Sequence, residues 1–316
     1  MSSAAATAGG AVDRAPRRRT RRLQNLRAAA RSPRGAVGLA LVAIVVAIAF
    51  LGPLFAPNSA TALVGAPFQS SGPGLPFGTD TLGRDVLSRT LDGGWVLLVM
   101  AAAATALGVA VGTVAGVSAG YLRGAGDGLI MRGADVILTF PQMVFALVLV
   151  SIVGPKLWLI VLAVGITHAP QVARVLRAAT LDISERDFVK VVELTGTPSW
   201  KIMMREILPN LVTPITVEVG LRLTYSIVII AGLAFLGFGQ APPAANWGTM
   251  INENRIGISQ NPWGVIAPAA LIALLTVGMN TFTDALARVM IGIDRGDRGA
   301  EVTDPTAIET EVEVMS

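Results

Sequence analysis

The sequence predicts an all-α polytopic membrane protein with six transmembrane helices, and three observations carry that prediction. Charged residues make up 15% of the chain, against roughly 25% in soluble domains. Apolar runs approaching or exceeding the ~20 residues needed to cross the hydrocarbon core recur six times. Lysine and arginine alternate between the connections, twenty on one side of the predicted spans and four on the other.

The elements follow in order. Residues 1–35 form a basic arm containing Arg17, Arg18, Arg19, Arg21 and Arg22, suited to anionic lipid headgroups. The first predicted span covers 36–55 and carries no charge. Its apolar run exceeds the 7–15 residues of a signal-peptide core, so it is read as an anchored helix that a loop extends to residue 92. Further spans are predicted at 96–120, 134–154, 157–172, 212–237 and 264–286, the run at 157–172 being the shortest. Each should be helical, because backbone polar groups in lipid must bond within their own segment. The charge count places both ends in the cytoplasm. From residue 293 to 316 the chain turns acidic, with Glu301, Asp304, Glu309, Glu311 and Glu313, and is read as a disordered tail.

Several chemistries drop out. There is no cysteine and one histidine, which removes disulfides, thiolate sites and multi-histidine metal sites. No Gly-Lys dipeptide occurs, so this chain has no Walker-type phosphate cradle and no cofactor is expected on it. A Gly-x-Ser-x-Gly match at Gly116–Gly120 falls within an apolar helix, not on the strand-to-helix turn that a hydrolase requires. A non-enzymatic protein without nucleic-acid partners is expected.

Four features stand out. Gly108, Gly112, Gly116, Gly120 and Gly124 recur every fourth residue and put a glycine stripe on one helix face, read as a helix-packing surface with substrate lining as the rival. Glu218 and Arg222 lie four apart inside a predicted span and can pair on one face. A structural pair and a pair on the translocation path both remain open, since intramembrane charge usually faces a bundle interior or water. His168 lies beside Pro170 near a span end, with no partner visible in the sequence. The stretch between the fourth and fifth spans is amphipathic and broken at Gly196 and Pro209, predicting short helices that project from the membrane's inner face.

Three segments resemble the inner-membrane permeases of binding-protein-dependent ABC importers, in particular the C-type subunit of oligopeptide and dipeptide transporters. The first runs Phe77-Gly-Thr-Asp80-Thr-Leu-Gly83-Arg84-Asp85-Val-Leu-Ser-Arg89. The second is the cytoplasmic stretch, where Gly196 and Leu208-Pro209 match the family's Glu-Ala-Ala motif in identity and spacing, while Lys190-Val191-Val192 stands in place of Glu-Ala-Ala. The third is Leu233-Ala-Phe-Leu-Gly237-Phe-Gly239, followed by Pro242-Pro243 and Trp247-Gly248.

The resemblance spans about 36–292 and implies a type I ABC importer transmembrane domain at 93–292. It implies a coupling helix around 187–198 that meets a partner ATPase through Asp187, Phe188, Lys190, Glu193, Gly196, Leu208 and Pro209, with Glu193 standing in for the absent motif glutamate. It implies an outer loop or gate at Asp80, Gly83, Arg84, Asp85, Pro242, Pro243, Trp247 and Gly248, although Asp80 and Arg84 equally suit a local capped turn. The implied partners are a B-type permease homologue, two ATP-binding subunits carrying ATP and magnesium, and an extracytoplasmic binding protein. The setting is a prokaryotic plasma membrane. Di- or oligopeptides are the implied cargo, with nickel chelates or other small solutes as alternatives. A secondary transporter or channel is the rival class, and it lacks support from an internal repeat of spans.

Overall fold

The computed structural model describes residues 27–291. The first 26 residues of the basic arm and the acidic tail at 293–316 lie outside the described residues.

The first helix, α1 (Pro33–Leu51), begins where Ser32 turns the chain and accepts a hydrogen bond from the Gly35 amide at 3.1 Å, with proline at the first helical position. A short helix, α2 (Val86–Asp92), precedes α3 (Trp95–Leu122). After it come α4 (Gly124–Leu138), α5 (Gln142–Val153) and α6 (Leu157–Ser184). The chain then forms two short helices, α7 (Asp187–Leu194) and α8 (Ser199–Ile202), before α9 (Val212–Leu233), α10 (Trp247–Asn254) and α11 (Trp263–Ile291). Among the described residues five helical segments are each long and apolar enough to cross a membrane, and α4 with α5 form a sixth candidate bent by 80°.

Two predicted spans need correction. The run at 134–154 is not one helix: it starts earlier, at Gly124, and breaks at Thr139-Phe140-Pro141. Proline lacks the amide that would continue the ladder and disfavours helical geometry in the residue before it, and this outweighs the run's uniform hydropathy. The shortest predicted span, 157–172, is the outer part of a 28-residue helix that continues to Ser184 with Pro170 inside it. Its second half escapes the prediction because an amphipathic helix reads as loop on hydropathy alone.

The core of the fold is the contact between α3 and α6, and the glycine stripe makes it. A Cβ on Gly108 would lie 2.7 Å from the Gly165 carbonyl oxygen, on Gly112 2.6 Å from that of Ala169, and on Gly116 2.5 Å from that of Ala173. On Gly120 it would lie 2.7 Å from the Thr180 Cβ. The two backbones therefore touch along four turns, in parallel and in register. Where lipid replaces water there is no hydrophobic drive between helices, so this close van der Waals contact is what holds them. Gly124 is not part of the stripe. It opens α4 with a φ of +67°, directly after Arg123, itself at φ +53°.

Because α3 and α6 run parallel, the chain between them must return from one end of the pair to the other, and α4 with α5 make that return. The bent pair is therefore a crossing, but a broken one. A second glycine contact joins α1 to α11, where a Cβ on Gly38 would meet the Phe282 amide nitrogen at 2.6 Å. α9 packs on α3, α6 and α11, so α3, α6 and α9 form a three-helix group that α11 joins to α1.

Candidate functional site

Three groups of polar residues are placed by this frame: one on the segments at 77–89 and 242–261, one within the spans and one on the 185–210 stretch.

On the segments at 77–89 and 242–261, Asp80 sits fully buried at the centre of a tight turn. Its Oδ1 accepts from the Leu82 amide at 2.9 Å and the Arg84 amide at 2.8 Å. Its Oδ2 accepts from Arg84 Nε at 2.6 Å and lies 3.2 Å from Arg89 Nε. Both guanidinium groups also reach Glu253 of α10, at 2.9 Å from Arg84 and 3.2 Å from Arg89. Gly83 makes the turn possible: its φ is +83°, and a Cβ there would stand 2.2 Å from the Gly65 carbonyl oxygen. Asp85 caps α2 through the Leu87 amide at 3.1 Å and also holds Ser88 and Asn58. From the other side, Asn254 accepts from the Thr81 amide at 3.0 Å, and Asn261 donates to the carbonyls of Phe77 and Thr79. Trp247 is fully buried and donates to the Thr90 carbonyl at 2.7 Å, while Gly248 lies against the Ala231 carbonyl, where a Cβ would be 2.6 Å away. Pro243 accepts from Arg89 at 3.3 Å.

The segment at 77–89 and the segment at 242–254 are thus one unit. Asp80 and Arg84 do form the local capped turn, and the same carboxylate and guanidinium also join that turn to α10. Glu253, Asn254 and Asn261 are not legible in the sequence, since nothing local connects residues some 170 positions away to the first motif.

Within the spans, Arg222 donates to Glu218 at 2.9 Å and to Gln171 of α6, and its guanidinium lies 5.5 Å from the Tyr225 ring centroid. The pair is buried between α6 and α9, with side chains 9% and 6% exposed. His168, which shows no partner in the sequence, has one: its Nε2 lies 3.0 Å from Ser226 Oγ, which in turn lies 3.0 Å from Thr105 Oγ1. These three fully or nearly fully buried side chains tie α3, α6 and α9 together at one level. Ser226→Ala should leave both neighbours without this shared partner. It is expected to lower the unfolding free energy of the detergent-purified protein by about 1–2 kcal/mol, read from its thermal transition.

On the stretch at 185–210, α7 starts after Arg186 with Asp187 in its first turn, where a carboxylate favours the positive end of the helix. It ends at Leu194, earlier than the predicted 198, and Gly196 follows in the left-handed region at φ +74°. Val189, Ile202, Ile207 and Leu211 bury themselves with Ile183 and Val117 and pin the stretch to the ends of α3 and α6. Leu208-Pro209-Asn210 form a single 3-10 turn leading into α9. On the other face of α7, Phe188, Val191 and Leu194 fall at i, i+3 and i+6 and are exposed, Leu194 at 88%, and Trp200 adds a further 60%-exposed ring. Lys190 and Glu193 line a polar cavity of about 380 Å³ with Tyr121, Arg123, Ser184 and Glu185. Tyr121 and Glu193 both face into it. Arg123 donates to Ser184 at 3.1 Å and to Glu185 at 3.3 Å.

No group of three or more potential metal-ligating side chains comes together among the described residues. What the arrangement offers is a densely bonded cap at one end of the bundle, a helix bundle with a polar interior and an apolar face displayed by a short helix.

Comparison with known proteins agrees with this picture. Residues 112–292 match the model of a family described as the binding-protein-dependent transport system inner membrane component. A Brucella suis biovar 1 protein, provisionally named a peptide permease, is 34% identical over 212 residues, covering 66% of this chain and 70% of its own. The glutathione transport system permease proteins GsiD of Escherichia coli O6:K15:H31 and of Shigella boydii serotype 4 are each 36% identical over 247 residues, covering 78% of this chain and 82% of theirs.

Proposed function

The chain belongs to the binding-protein-dependent transport system inner membrane component family, and from that membership we propose that it forms half of the translocation pathway of an ATP-driven peptide importer. The peptide cargo is carried over from relatives named for peptide and glutathione transport. The other half of the pathway is a B-type permease homologue. Two ATP-binding subunits, which hold the ATP and magnesium, sit beneath the pair, and an extracytoplasmic binding protein delivers substrate from above. With six crossings and the lysine and arginine excess on the α7 side, both termini face the cytoplasm.

The observation that carries this reading is α7. A short helix whose inner face is locked to the ends of α3 and α6, and whose outer face shows Phe188, Val191 and Leu194, has the form of a helix made to enter a groove. ATP-driven closure of the partner subunits moves that helix, and its anchorage passes the movement to the spans. Nucleotide then acts by favouring one of two access states through differential binding. The family's motif glutamate is replaced by Lys190, and Glu193, one turn on, faces the same cavity as Tyr121 at the end of α3. Asp187, Lys190 and Gly196 set the ends and polar edge of the same docking element. Asp80, Arg84, Asp85 and Trp247, all buried, hold together from inside the outer cap whose surface is offered to the binding protein.

Purification of the tagged chain in mild detergent is the direct test. A second permease and ATPases carrying Walker motifs should come with it. Leu194→Asp should remove the ATPases from the preparation, and with them substrate-stimulated ATP hydrolysis, while the two permease subunits remain together. A chain that transports alone on an ion gradient, with no ATPase bound, would make it a secondary transporter and end this reading.

A further inference from the structure

The break at Thr139-Phe140-Pro141 lies at membrane depth. Gln142, the first residue of α5, donates to the Thr167 carbonyl at 3.2 Å. Thr167 is ten residues from the Leu157 end of the 28-residue α6, about 15 Å along a helix of about 42 Å. The break is therefore level with the middle of the bundle and with the Thr105–Ser226–His168 group. Thr139, Phe140 and Pro141 are all exposed on this subunit, and Pro141 supplies no side-chain cap to the first turn of α5. Non-helical backbone at this depth is tolerated where protein covers it or water reaches it, and not where it meets lipid tails.

A second observation favours water. Arg132, Asp135 and Thr139 fall at i, i+3 and i+7 on one face of α4, and all three are exposed. Asp135 is salt-bridged to Arg174 of α6, with the two side chains 56% and 53% exposed. Arg174 follows Thr167 by seven residues, about 10 Å further along α6 toward its α7 end. With Arg132, the pair carries a charged face from that end of the bundle up to the break, which suits a water-filled path and not lipid tails. By contrast Glu218 and Arg222, the charged pair visible in the sequence, are buried, and Arg222 donates to Gln171 of α6.

We infer that, in the importer proposed above and resting on that reading, the Arg132–Asp135–Thr139 face of α4, the break at Thr139–Pro141 and Arg174 line the aqueous translocation pathway. They offer a peptide both signs of charge between the α7 end of the bundle and the break. Glu218 and Arg222, buried, are not part of this surface.

The chain has no cysteine, so single cysteines can be placed one at a time in the complete transporter in membrane vesicles. Thr139→Cys is nearly isosteric and carries the test; Phe140→Cys and Asp135→Cys extend it. Val114→Cys, on an exposed apolar part of α3 at similar depth, is the lipid-facing control. A charged methanethiosulfonate reacts with a hydrated thiolate, and a thiol in lipid stays protonated and inert. The Thr139→Cys transporter should therefore react about tenfold faster than the control or more. Locking the ATPases with nucleotide and vanadate should change that rate as access alternates.

If Thr139→Cys and Phe140→Cys resist the charged reagent in both nucleotide states but cross-link to the partner permease, the break is covered by protein and the inference is overturned. Resistance with reaction only to a lipid-soluble maleimide would overturn it as well. Failure of the importer reading would show separately, as the absence of ATPases from the preparation of the unsubstituted chain.

Discussion

Replacing Gly112 with leucine is expected to abolish assembly of the transporter, and no other single change within the spans should act as strongly. At Gly112 a Cβ alone would sit 2.6 Å from the Ala169 carbonyl oxygen and 2.6 Å from the Val172 Cβ. Backbone cannot rotate away as a side chain can, so α3 and α6 must separate. Separation at one point loosens the contacts at Gly108, Gly116 and Gly120, since all four lie along the same line. Overpacking a close contact costs about 1–3 kcal/mol, and more where relaxation is blocked. With no hydrophobic term to draw the helices back together, that cost falls on the packing that defines the fold. The measurement is the yield and thermal transition of the purified complex. Gly112→Leu should give aggregated or partner-free chain, whereas Val114→Leu, two residues along on an exposed face, should behave as the parent. A Gly112→Leu complex with an unchanged thermal transition would show that the α3–α6 contact is not what holds the bundle.

The glycine stripe is readable in advance because a period of four is a local signal and its meaning, close approach, is the same in any context. The outlines of α1, α3, α9 and α11 are legible for a similar reason: charge-free runs of that length have few other uses. The misreadings share a cause. Hydropathy averages over a window, so it joins α4 to α5 across Pro141, and it cuts α6 short where Arg174 and Arg177 begin to alternate with apolar residues. Pro141 is the available warning. A proline at the centre of an apolar run marks a boundary, and here that boundary is the feature on which the path is built.

The polar sites divide the same way. Asp80, Gly83, Arg84 and Asp85 are visible as a motif because the turn they form is local, down to the glycine that must take a positive φ. Their joint use with Glu253, Asn254 and Asn261 is not, because the pairing is set by where α2 and α10 meet. His168 shows the limit most clearly. Its partner Ser226 is a common residue 58 positions away, and nothing about either residue suggests the other until α6 and α9 are side by side.

Asp80→Ala should be the most destabilising change outside the spans. The aspartate carboxylate neutralises half of a group in which two guanidiniums, 2% and 0% exposed, share two carboxylates, one fully buried and the other 20% exposed. Removing it leaves Arg84 and Arg89 with Glu253 alone, one uncompensated positive charge in a site closed to water. Breaking a buried pair in this way costs about 3–5 kcal/mol, because the remaining ion keeps its desolvation penalty and loses its attraction. Two backbone amides, Leu82 and Arg84, lose their acceptor at the same time. Asp80→Asn separates the two contributions. The amide oxygen can still accept from the turn while the charge is gone, so its effect should be smaller than that of alanine by the share owed to the turn. The groups lie beneath the surface, so the loss should change little between low and high salt, unlike that of an exposed pair, which weakens within a Debye length of about 10 Å at 0.1 M. Thermal transitions of the purified transporter at two salt concentrations would read all of this. Equal stability of Asp80→Ala and the parent would mean that the turn and α10 are held together by Trp247 and the asparagine contacts, with the charges contributing nothing net. A loss confined to Asp80→Ala and absent in Asp80→Asn would assign the effect to the turn and not to the ion group.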